Sequence, residues 1–160
     1  MILGIECLVF CLIMFLICRV NVGNDVKNLK SFRAYPDNIQ EKLKNDPKFN
    51  DKIKTPNDIA IFISNLFVFL VLVFIFGIFL RTSDFVYNFV ALLILGEVAN
   101  LFDFLIIDAL WWRNSKLIRF STIPDKSEYK SLKNHAISFV KGAIMFFLVA
   151  LIDGAILITF

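Results

Sequence analysis

The sequence predicts an all-α membrane protein: four transmembrane helices with N and C termini outside, and two basic cytoplasmic loops that carry short amphipathic helices. Three observations predict it. The 160 residues are 58% hydrophobic, have a mean hydropathy of +0.73 and include 19 phenylalanines, against about 45–50% apolar residues in an average soluble domain. The apolar residues fall into four runs, about 1–18, 59–80, 85–110 and 139–160, each near the roughly 20 residues that a helix needs to cross the hydrocarbon core. Lysine and arginine number nine in 19–58, one in 81–84 and six in 111–138, with Lys141 inside the last run. Basic loops stay cytoplasmic, so the two long connections lie inside and the short turn lies outside. The chain reads as a single transmembrane domain of a multi-pass cell-membrane protein.

The first run has no basic segment before it and no small-x-small cleavage site after it, so it reads as an uncleaved span rather than a secretory signal. Bulky Ile17 before Cys18 makes a poor lipoprotein signal. Cys7, Cys11 and Cys18 recur within one narrow stripe of this helix. Small polarizable packing against a neighbouring helix is favoured there over a metal or redox stripe, because no partner His or Cys lies nearby. In the insert 19–58, "RAYPDNIQEKLKNDP" predicts a short helix starting at Asp37 and stopped by Pro47. Ile39 and Leu43 stand between charged neighbours, which suits a helix lying on the membrane surface. "TPND" then offers Thr55 as N-cap and Pro56 at the first helical position of the second span. In the insert 111–138, Trp111 and Trp112 fall where the third span leaves the bilayer, the usual level for amphipathic rings. Pro124 breaks this insert, and "SEYKSLKNHAISF" predicts a helix leading into the last span.

The third span carries the residues that ask for chemistry. Glu97, Asn100, Asp103 and Asp108 interrupt a stretch otherwise fit for lipid. In a regular helix Glu97 and Asp108 share a face, whereas Asp103 and Asp108 stand about 140° apart and cannot hold one ion together. Asp103 is expected to point into the bundle and Asp108 to engage the loops or Lys141. Glu6 and Asp153 add acids near the outer ends of the first and last spans, and Lys141, near the inner end of the last, can snorkel or pair with Asp103 or Asp108. Ionisable groups at such depths face a bundle interior or a wet cavity.

Three functions fit this pattern. The acids chiefly hold the bundle together or bind a partner; or the chain is a small transporter or a cation- or proton-handling protein; or it is a membrane enzyme with Asp103, Asp108 and Glu128 at a cytoplasmic-face acidic site. No HExxH, GxSxG or P-loop pattern appears, which disfavours the enzyme. His135 reads as a solvated loop residue beside Lys133 and Asn134, and Gly142 and Gly154 do not make a GxxxG pair. No metal site and no cofactor are expected. The partners implied are the lipid bilayer and a membrane-protein partner or second copy. Nucleic acid is not implied, since the basic inserts also carry acids and no reading module.

Three stretches, "YPDNIQEKL" (35–43), "NLFDFLIIDALWW" (100–112) and "IPDKSEYK" (123–130), together resemble an uncharacterised group of small four-span integral membrane proteins of anaerobic prokaryotes. In that group Y-P-x-x-[IV]-Q-E, D-x-x-x-I-D-x-x-W and I-P-G-T-E-D elements recur in this order. Tyr35, Pro36, Gln40 and Glu41 match the first element, Asp103, Asp108 and Trp111 the second, and Ile123 and Pro124 the third. Asp125, Lys126 and Ser127 replace the third element's usual core. The resemblance implies a four-span fold and no assigned activity, although members are sometimes loosely labelled transporter permeases.

Overall fold

A computed structural model describes residues 2–54 and 57–159; Thr55 and Pro56, expected as cap and first helical residue, lie outside the described residues. The helices are α1 (Ile2–Val20), α2 (Asp25–Lys30), α3 (Asp37–Asn45), α4 (Asp58–Leu80), α5 (Phe85–Phe102) and α6 (Lys133–Leu157). The helix of α5 runs on as a π-helix over Asp103–Trp112. No strand occurs among the described residues, and four helices are long and apolar enough to cross a membrane, as the four runs predict. The cap of α4 is Asn57, whose Oδ1 accepts from Ile59 N–H at 3.0 Å. The described residues divide into two compact units, one helical (2–13, 57–102, 139–159) and one built from the inserts (14–54, 103–138).

In the helical unit, α4 and α5 form a hairpin over a turn that Asn88 organises. Its Oδ1 accepts from Thr82 N–H at 2.8 Å and its Nδ2 donates to Thr82 O at 2.9 Å. The buried positions of α6 (Met145, Phe146, Val149, Ala150, Asp153 and Leu157) recur at helical spacing and form one stripe. Glycines bring this stripe close to its neighbours. A Cβ on Gly96 would lie 2.6 Å from the Phe146 ring, and one on Gly154 would lie 3.2 Å from the Phe89 backbone. The pairing of Gly96 with Phe146 and of Phe89 with Gly154 makes α5 and α6 antiparallel. Phe10 of α1, fully buried, meets Phe76 at 5.3 Å and Phe146 at 6.4 Å between ring centroids. The remaining faces expose large apolar residues such as Leu8, Phe67, Phe79 and Val140, the surface a lipid solvent accepts.

The insert unit has a core of its own. Val22, Phe32, Tyr35, Ile39, Leu43 and Phe49 from the first insert pack with Trp112, Ile118, Phe120, Ile123 and Tyr129. This corrects one expectation. Ile39 and Leu43 do not face lipid: both are fully buried by protein, because the second insert supplies the apolar surface their helix needs. Trp112 is likewise buried, with its ring 4.8 Å from Tyr35, while Trp111 packs edge-on to Phe15 at 5.3 Å. Polar bonds stitch the inserts. Asn28 Nδ2 donates to Leu117 O at 3.0 Å, and Asp25 accepts from Ser121 N–H at 2.9 Å and from Lys48 Nζ at 2.8 Å. Within this unit the chain turns at Gly23, whose φ of 125° lies in the region that only glycine adopts easily.

Candidate functional site

The polar cluster of the insert unit is built on the π-helix. Its i→i+5 ladder returns the chain to the same face after five residues, where a regular α-helix would leave Asp103 and Asp108 about 140° apart. The wider turn brings the two acids nearer to one side than a regular helix would. Asp103 lies within electrostatic reach of Asp108 and of His135, and Cys18 within reach of both acids. π-turns inside helices are rare and are frequent at functional sites.

His135 completes the arrangement, and it is not a solvated loop residue. It sits in the first turn of α6, only 4% exposed, and its Nδ1–H donates to Asp108 Oδ2 at 2.8 Å. The Trp112 ring stands edge-on to the imidazole at 4.6 Å. Asp108 thus engages the second insert through His135, a partner the sequence reading missed. The signal was faint, since pairing a single histidine with an acid 27 positions away requires knowing the fold. Nδ1 is occupied, and Nε2 is buried without a hydrogen-bond partner among the described residues. A carboxylate that fixes one imidazole nitrogen leaves the other free to accept a proton or a hydrogen bond.

Residues of the first and second inserts also meet in this unit. Tyr35 Oη donates to Ile118 O at 2.7 Å, and Tyr129 Oη donates to Ile123 O at 2.8 Å. The Tyr35 carbonyl accepts from Gln40 Nε2 at 2.8 Å and Asn134 Nδ2 at 2.6 Å. Asn134 precedes His135, so Tyr35 and Asp108 both hold the start of α6. Burial pushes the Tyr35 phenol above its ordinary range, and it serves as a neutral donor. Hydrogen bonds from Lys133 and Asn134 hold the Asp37 carboxyl below the usual carboxylate range.

The other sequence candidates go elsewhere. Glu128 accepts from Lys42 Nζ and Asn38 Nδ2, both at 2.6 Å, on the face of α3. Lys141, expected to snorkel or to pair with Asp103 or Asp108, places Nζ 3.8 Å from Asp58 with both side chains exposed. Asn100, buried in the helical unit, donates to Phe139 O at 3.1 Å, and half-buried Glu97 accepts from Asn100 Nδ2 at 3.4 Å. Glu6 and Asp153 are buried in the helical unit, each with an oxygen that finds no partner among the described residues. Cys7 and Cys11 are buried, Cys18 is half-buried and all three are free thiols. Among the described residues no group of three or more His, Cys, Asp and Glu side chains is placed to hold a metal ion. Comparison with known protein families, with curated proteins and with solved structures finds no match to this chain.

Proposed function

We propose that this is a multi-pass protein of the cell membrane, with both termini outside and its inserts cytoplasmic, whose intramembrane polar residues chiefly hold its own helices and inserts in place. The observation that carries this reading is the buried Asp108–His135 bond at 2.8 Å, which ties the end of the third span to the start of the last. Asn100 supports it, since this buried amide bonds a carbonyl of a neighbouring helix. Such bonds average only about 0.6 kcal/mol in a bilayer, but a buried pair that loses one member leaves the other unsatisfied, at about 1–3 kcal/mol. The unequal basic content of the loops supports the orientation.

Thermal unfolding of the purified chain in detergent tests the holding role. Asp108→Ala and His135→Ala should each lose about 1–3 kcal/mol. Asp108→Asn, which keeps an acceptor oxygen of the same shape, should lose less than either. Unchanged unfolding in both alanine variants would remove the basis of the proposal. A C-terminal reporter that works only in the cytoplasm should stay silent, and signal from it would overturn the orientation.

A further inference from the structure

The holding role uses only one nitrogen of His135. With Nδ1–H donated to Asp108 Oδ2 at 2.8 Å, the neutral ring presents Nε2 as an acceptor. That nitrogen is buried and has no hydrogen-bond partner among the described residues. Asp103 lies within electrostatic reach of both Asp108 and His135, and ionised carboxyl groups are acceptors too. A neutral imidazole therefore sets an acceptor beside acceptors and leaves a buried nitrogen unsatisfied, which is costly. One proton on Nε2 reverses the mismatch. It turns the nitrogen into a donor, places a positive charge beside two carboxylates, and leaves the three groups with one net negative charge instead of two.

The elements around the ring keep the same balance. The π-helix brings Asp103 and Asp108, and its Trp112 ring stands edge-on to the imidazole at 4.6 Å, with half-buried Arg113 following in the chain. From α1 comes the Cys18 thiol, within reach of both acids, while Arg19 beside it is exposed. On α6 the two lysines turn to other acids, Lys133 Nζ to Asp37 at 2.7 Å and Lys141 Nζ to Asp58 at 3.8 Å. The first insert brings Tyr35, whose ring covers Trp112 at 4.8 Å and whose hydroxyl already donates to Ile118 O. The groups that act on Asp103 are Asp108 and His135, so the imidazole is the positive charge that the acids have within reach.

The geometry points to Asp103, Asp108 and His135 as one proton-binding site, which takes a proton from solvent onto His135 Nε2 and so tightens the junction of the third long helix with α6. This rests on the Asp108–His135 bond of the proposed function and adds its regulation, since a hydrogen bond to a carboxylate is stronger from a charged ring than from a neutral one. A site that binds a proton more tightly in the folded than in the unfolded chain stabilises the fold at low pH and loses that contribution as pH rises. Imidazoles ordinarily change charge between about pH 5 and 8, which sets the window to search.

The chain has a single histidine, so isotopic labelling of imidazole nitrogens in the full, untagged protein in detergent reads this ring alone by NMR. As pH falls from about 8 to 5.5, the Nε2 signal should move from the range of a bare ring nitrogen to that of a protonated one. Over the same window the unfolding midpoint should rise by about 3 °C. Asp103→Asn leaves the Asp108–His135 bond in place but removes one carboxylate. It should move the nitrogen transition about one pH unit lower and shrink the rise in midpoint, whereas Asp84→Asn in the exposed turn should change neither. An Nε2 that stays bare throughout, or a transition unchanged in Asp103→Asn, would overturn the inference. Should Asp103→Asn fail to fold, the nitrogen titration of the unsubstituted chain decides alone. Stability lost in Asp108→Ala and His135→Ala, with no proton arriving at Nε2, would leave the holding role standing and remove only the proton site.

Discussion

Asp25 shows how a charge is kept where the inserts close over it. Partial burial opposes its ionised form, but hydrogen bonds from Lys48 and from the side chain and backbone of Ser121 outweigh burial and hold the carboxyl below its ordinary range. The sign of the linkage follows. A carboxyl with a depressed native pKa stabilises the fold above its unfolded value of about 3.9, and loses that contribution as pH falls through the native value. The unfolding midpoint of the insert unit should therefore fall with acid below about pH 4, and Asp25→Asn should flatten that limb. At pH 7 the variant should lose about 1 kcal/mol. Pressure for neutrality acts equally on Tyr35, whose buried phenol donates its proton to the Ile118 carbonyl at 2.7 Å.

At the scale of elements, α3 and the π-helix each depart from what an isolated segment would do. A nine-residue helix with two apolar positions is too short to be stable alone in water. It persists because Ile39 and Leu43 are fully covered by the facing insert. Ile39→Ala should cost the insert unit about 2–5 kcal/mol, as for a core aliphatic. A helix lying on lipid would lose far less, so denaturant unfolding followed by the emission of Trp111 and Trp112 separates the two outcomes. The π-helix brings nearer to one side two acids that a regular helix would separate, and it aims Asp108 at the first turn of α6.

For the whole molecule, the four long helices present apolar residues outward along most of their length. After expression the chain should stay in the membrane pellet through an alkaline carbonate wash and leave it only with detergent. Recovery in the carbonate supernatant would contradict a four-span protein. The insert unit also takes in the ends of the first and third long helices, residues 14–20 and 103–112. Residues of the four spans satisfy backbone bonds within each helix, as a bilayer demands. The inserts close a water-compatible core with aromatic rings inside and lysines outside.

What the sequence determined alone is the class of the protein: length, hydropathy and the uneven placement of lysine and arginine predict four helices and two polar inserts, because those properties are local and sum along the chain. The bounds of α3 were legible for the same reason. Tertiary structure decided which side chain meets which. An apolar face by itself does not say whether lipid or protein will cover it, and protein covers Ile39. A lone histidine reads as solvated from sequence, because the partner of His135, Asp108, lies on another helix. A five-residue spacing such as that of Asp103 and Asp108 means different things in an α-helix and a π-helix, and the sequence alone does not choose between them.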